Sequence, residues 1–113
     1  MAQIEIPFSR EMAIAAIDGM KITTTRSEKK GEIGDTFWFE DPRRDNEERM
    51  VKYGGQFRII DIHFVGLGTV KSDYFLLEGC ASPEEFERVW RSLHRGHFTA
   101  KKLYYIHFFA RVV

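Results

Sequence analysis

A single cysteine, Cys80, stands among 113 residues, so no internal disulfide can form and a packed core must hold the fold. Net charge is missing too. Seventeen Lys and Arg balance 17 Asp and Glu, which removes the whole-molecule field that would announce a nucleic-acid partner. No apolar run approaches the length of a membrane span, and Met1 to Glu5 lack the basic-then-apolar pattern of a secretory signal. These absences predict a reducing, cytoplasmic setting without a membrane partner. The chain also has no Gly-rich phosphate loop, dinucleotide fingerprint or Ser-His-Asp ordering. His94 and His97 are separated by two residues, but no second pair of ligands stands near them at zinc spacing. Neither a metal nor another cofactor is expected.

What the chain does have is apolar mass. At 43% hydrophobic and 14% aromatic, it carries enough for one core and is too short for two, so residues 1–113 read as a single domain. Its charge is unevenly spread, with 11 basic against 14 acidic residues up to position 78 and 6 against 3 beyond. From Arg88 to Lys102 there are five basic residues and no acid.

Ser9 caps a short helix that runs to about Asp18, with Gly19 as its left-handed stop. Residues Ile22 to Arg26 are β-branched and read as a strand. Ile33-Gly34-Asp35 turns into a second, Thr36 to Phe39. The polar run 41–56 suggests a long, mobile hairpin connection able to cover a site. Phe57 to Val65 is the third strand, with Ile60, Ile62 and Phe64 assigned to one face and Phe57, Ile59 and Val65 to the other. Gly66 and Gly68 interrupt it before a short helical stretch at about 70–77. Ser82-Pro83-Glu84-Glu85 then sets a cap, an N1 proline and a capping-box glutamate before the stripe Phe86, Val89, Trp90, Leu93. Lys102 to Val113 closes the chain as a strand. Strands wrapped by short helices predict an α+β fold, a small mixed barrel.

The chemistry is concentrated after the first helix. Gly19, Lys21, Thr24 and Arg26 bring a lysine, a hydroxyl and an arginine together, a group suited to an anion or to catalysis. Taken alone, Lys21 reads as a surface residue beside a turn. Strand alternation puts Thr24 and Arg26 on one face, and Lys21 must reach them from the turn. His63 and His107 fall on strands as hydrogen-bonded core or barrel-lining groups, and His94 and His97 at a helix end. Arg88, Arg91 and Arg95 form a basic row on the last helix, although Glu84 and Glu87 stand four residues before the first two.

The pattern GxKxxTxR through Gly19, Lys21, Thr24 and Arg26 resembles the signature of the ASCH family, small domains of the PUA-like superfamily. The turn Gly31-Glu32-Ile33-Gly34-Asp35 and the block from Glu78-Gly79 through Ser82, Glu85, Phe86, Trp90, Leu93 and His94 resemble the same family. The resemblance implies a PUA-like β-barrel with peripheral helices and a cleft that recognises RNA or a modified nucleoside. Some small bacterial ASCH proteins are amidohydrolases that remove the acetyl group of N4-acetylcytidine with a Lys-Thr-Glu set. Lys21 and Thr24 match its first two members, and Glu78 is the best match for the third. In that reading Thr24 attacks, a neutral Lys21 accepts its proton, Glu78 serves the leaving base and Arg26 holds substrate. The competing reading is a binding module in which charged Lys21 and Arg26 contact phosphate, helped by Arg95 and Lys101, while Trp38, Phe39 or Tyr53 stacks on a base. A third, RNA cleavage, lacks a histidine pair to perform it.

Overall fold

The computed structural model describes residues 2–39, 42 and 55–112. The polar connection expected at 41–56, Tyr53 included, lies almost wholly outside them, as does the side chain of Phe39. The elements run in the order α1 (Arg10–Ile17), β1 (Thr23–Arg26), β2 (Thr36–Phe39), β3 (Gly55–Gly66), α2 (Leu67–Asp73), α3 (Pro83–Leu93) and β4 (Leu103–Arg111). The strands form one antiparallel sheet in the order β1-β4-β3-β2, curled into a half-barrel with the three short helices around it. This is the α+β architecture expected.

Local chemistry accounts for the helix ends. Ser9 accepts a hydrogen bond from Met12 N at 3.3 Å, and Ser82 accepts one from Glu85 N at 3.1 Å, each satisfying an N-terminal amide that the helix leaves open. Gly19 leaves α1 with φ +81°. The helical stretch expected at 70–77 instead starts at Leu67 and takes in Gly68. Gly68 belongs there because Ala100 crowds it: a Cβ would lie 3.2 Å from that of Ala100, and Gly68 N donates to Ala100 O at 2.9 Å.

β4 carries the two halves of the core on its two faces. Phe109 joins Ile6, Ala13, Ala16, Phe37, Phe57 and Ile59 beneath α1, whereas Tyr104 and Ile106 join Leu67, Val70, Cys80, Phe86 and Trp90 beneath α2 and α3. Phe37 meets Phe109 edge-on at 5.5 Å. Full burial of such side chains contributes roughly 1.5–3 kcal/mol each. The face assignment for β3 fails at its centre. A register shift between Ile59 and Asp61 inserts a residue, so Ile60 is 54% exposed, while Ile62 packs against the same cluster as Phe57 and Ile59.

Candidate functional site beside strand β1

Among the described residues β1 is an edge strand paired with β4, and its alternation decides where each candidate side chain goes. Thr23 and Thr25 stand opposite Phe108 and Ile106, on the face that α3 covers. Thr24 stands opposite His107, on the other. Lys21, still in the turn, is not the surface residue its context suggested: it is 4% exposed. Its Nζ donates to Glu78 Oε1 at 3.2 Å and to the Glu78 carbonyl at 3.3 Å. Thr23 Oγ1 and Thr25 Oγ1 donate to Glu78 Oε2 at 2.5 and 3.2 Å. Both carboxylate oxygens are thus engaged by donors.

Glu78 reaches this position because Gly79 turns with φ +92° and presses against the lysine. A Cβ on Gly79 would lie 3.3 Å from Lys21 Cβ and 3.4 Å from Met20 O. The chain is also stitched from the other side, where Ile22 N and Thr23 N donate to Leu77 O at 2.8 and 3.2 Å.

Thr24 is held separately. Its Oγ1 accepts from Arg26 Nε at 3.0 Å, while the Arg26 fork donates to Pro7 O at 2.6 Å and lies 5.0 Å over the Phe8 ring. Burial pulls the Arg26 pKa below its ordinary value, and the Glu78 charge opposes that shift. Behind Thr24 sits His107, fully buried. Its Nδ1–H donates to Thr24 O at 3.1 Å and its Nε2 accepts from Lys30 N at 2.9 Å, which fixes a neutral tautomer. Burial, the larger effect, lowers the His107 pKa, so the ring is a positioning group rather than a charge.

Side chains of both sets line one cavity of about 240 Å³. Lys21, Thr24, Arg26 and Glu78 line it from the strand side, and Phe86, Val89, Trp90, Leu93 and His94 from α3. His94 stacks on Trp90 at 4.0 Å and 11°, and its Nδ1–H donates to Trp90 O at 2.8 Å. Leu93, expected to be core, is 56% exposed because its place in the stripe faces the cavity rather than the sheet. Cys80 also lines the cavity. Burial first, then Glu85, pushes its pKa up, which keeps it a thiol and disfavours a thiolate nucleophile.

Other sequence-derived candidates fall elsewhere. Gly19 has open space around it and acts as a helix stop, not as a point of close approach. Trp38 is half-buried on β2 and lines no described cavity. Arg95 and Lys101 are exposed and line none either. The basic row ends early: α3 stops at Leu93, Arg95 turns away with φ 56°, and Arg91 is paired with Glu87 at 2.9 Å. His107 is the hydrogen-bonded core histidine that the sequence suggested, whereas Thr23, Thr25 and Gly79 are the site positions that sequence reasoning missed. The β-branched run and the Glu-Gly pair were its only signals for them. Among the described residues, no group of three or more His, Cys, Asp or Glu is placed to hold a metal ion, and no helix is long and apolar enough to cross a membrane.

Two solved structures superpose on nearly the whole chain. The ASCH domain from Lactobacillus crispatus JV V101 does so with a TM-score of 0.62 at 14% identity, over 97% of this chain and 78% of its own. The chain has the ASCH-domain fold. A protein from Enterococcus faecalis V583 assigned to the DUF984 family shares it, with a TM-score of 0.61 at 16% identity over 98% of this chain and 75% of its own. No family model matches the sequence, and no curated protein does. At such identities the likeness resides in the ASCH fold, and the chemistry of the cleft must be argued from the side chains that line it.

Proposed function

We propose that the cleft recognises RNA or a modified nucleoside, and that it hydrolyses the acetyl amide of N4-acetylcytidine. The observation that carries this reading is the content of one cavity: a buried Lys21–Glu78 pair, a Thr24 hydroxyl held by Arg26, and the flat Trp90–His94 stack. Its volume of about 240 Å³ falls below drug-sized sites of roughly 300 Å³ and more, and suits a base with its acetyl group.

In this reading Thr24 Oγ1 attacks the acetyl carbon and the bond to the exocyclic N4 breaks, leaving an acetyl ester on Thr24 and cytidine. Water then cleaves the ester, releasing acetate and restoring the hydroxyl. The Thr24 proton needs an acceptor, and Lys21 becomes one by passing its own proton to Glu78 Oε1, 3.2 Å away. The same pair returns a proton to N4 as the base departs. Arg26, already donating to Thr24 Oγ1, supplies positive charge where the oxyanion forms.

Incubation with N4-acetylcytidine followed by chromatography tests it. The wild type should yield cytidine, and Lys21→Ala and Thr24→Ala should not. Absence of cytidine at high wild-type concentration overturns the hydrolase.

A second reading, a non-catalytic RNA-binding module contacting phosphate through Lys21 and Arg26, is favoured by the half-buried Arg26, which makes no ion pair with a described carboxylate. Lys21 fits it poorly, since it is enclosed and already donates twice to Glu78. Salt-dependent RNA binding that falls on Arg26→Gln, without any acetyl release, would favour the module.

A further inference from the structure

A second cavity, of about 290 Å³, adjoins the cleft and shares Thr25, Arg26, Trp90 and His94 with it. Its remaining walls are Ser27, Lys30, Lys102 and Tyr104, so three cations line it and no acid does. Neither Lys30 nor Lys102 has an acidic partner among the described residues, in contrast to Lys29, whose Nζ lies 2.7 Å from Glu32.

The site is anchored rather than a loose surface patch. Lys30 N donates to the buried His107 at 2.9 Å, which fixes the backbone of that loop residue. Lys102 is held by N–H donation to Thr99 O at 3.1 Å and by its carbonyl, which accepts from Leu67 N at 2.9 Å. Its ammonium lies 5.1 Å over the Tyr104 ring. Ser27 adds a hydroxyl donor, and His94, whose Nδ1 is used by Trp90 O, lines both cavities. An unbalanced cluster of two lysines and an arginine that lines both cavities suits a phosphate ester attached to whatever occupies the first cavity.

We infer that Lys30, Lys102 and Arg26 form a phosphate subsite, so that the ligand of the cleft is a nucleotide rather than a free nucleoside. This rests on the reading that a nucleobase fills the first cavity.

Calorimetric titration of cytidine, cytidine 5′-monophosphate and cytidine 3′-monophosphate, with inorganic phosphate as competitor, tests it apart from catalysis. One monophosphate should bind about tenfold or more tighter than cytidine at low ionic strength, and added salt should erode the difference. The nucleotide-to-nucleoside ratio should fall to near one in the Lys30→Gln/Lys102→Gln double variant and survive in Lys29→Gln. A wild-type ratio near one for both monophosphates, or an equal loss in Lys29→Gln, overturns the subsite, as does failure of both nucleotides to bind. Tight nucleotide binding without acetyl release would instead retain the subsite and remove the hydrolase.

Discussion

Lys21 Nζ and Glu78 Oε1 lie 3.2 Å apart across 57 residues of chain, both almost sealed from water. The pair fastens the entry of β1 to the turn before α3, and each partner satisfies the other in a site closed to water. Removing one should therefore cost more than removing both. Glu78→Leu or Lys21→Met should each destabilise by about 3–5 kcal/mol, the cost of stranding a buried charge. The double variant should cost less than either single one. Urea denaturation of the four proteins checks this, and strict additivity would show the pair to be uncoupled.

Much of the frame was legible because its signals are local. Ser82, Pro83 and Glu85 specify where α3 begins without reference to anything distant, and the β-branched Ile22 to Arg26 run gives β1. The bulge after Ile59 was not legible, since one extra residue in the ladder leaves the apolar alternation of the sequence looking regular. Burial of Lys21 was equally hidden. It depends on Gly79 and on three donors converging on one carboxylate, and no spacing in the sequence records a contact across 57 residues. Leu93 misled for a related reason, because a helical stripe states which residues share a face but not whether a cleft or a core faces it.

The two left-handed glycines near the site should respond differently. Gly79→Ala adds a Cβ 3.3 Å from Lys21 Cβ on a backbone at φ +92°, whereas Gly19→Ala adds one into open space at φ +81°. Each should lose about 1–2 kcal/mol from the backbone alone. Only Gly79→Ala should also displace Glu78, and thereby reduce cytidine formation. Comparing thermal midpoints with turnover separates the two effects.

His107 makes stability depend on pH in a definite direction. Burial holds its folded pKa below the ordinary 6.5. Between that value and the lowered one, only the unfolded chain takes up the proton, so unfolding is favoured as pH falls. Above pH 6.5 neither state is protonated and this contribution is constant. Protonation in the fold would also cost Nε2 its role as acceptor for Lys30 N. The urea midpoint should hold between pH 7 and 8 and drop as pH falls below about 6.5. His107→Gln should be less stable at pH 7 and show a flatter decline.

Three adjacent threonines should give three different phenotypes, because strand alternation gives them different partners. Thr24 is the attacking group of the proposed reaction, so Thr24→Ala should lower acetyl release by at least about a thousandfold while cytidine still binds. Thr24→Ser keeps a hydroxyl for Arg26 Nε and should retain activity within about tenfold. Thr23→Val leaves the nucleophile intact but removes the 2.5 Å donor from Glu78 Oε2. Without it the carboxylate is less firmly held beside Lys21, so acetyl release should fall by roughly tenfold. Stability should fall by about 1.5–3 kcal/mol, the usual contribution of a hydrogen bond to a charged group. Thr25→Val, whose donor sits at 3.2 Å, should shift both quantities the same way and by less. Acetyl release by Thr23→Val equal to that of the wild type would mean that Glu78 takes no part in the reaction, and would leave it a structural partner of Lys21.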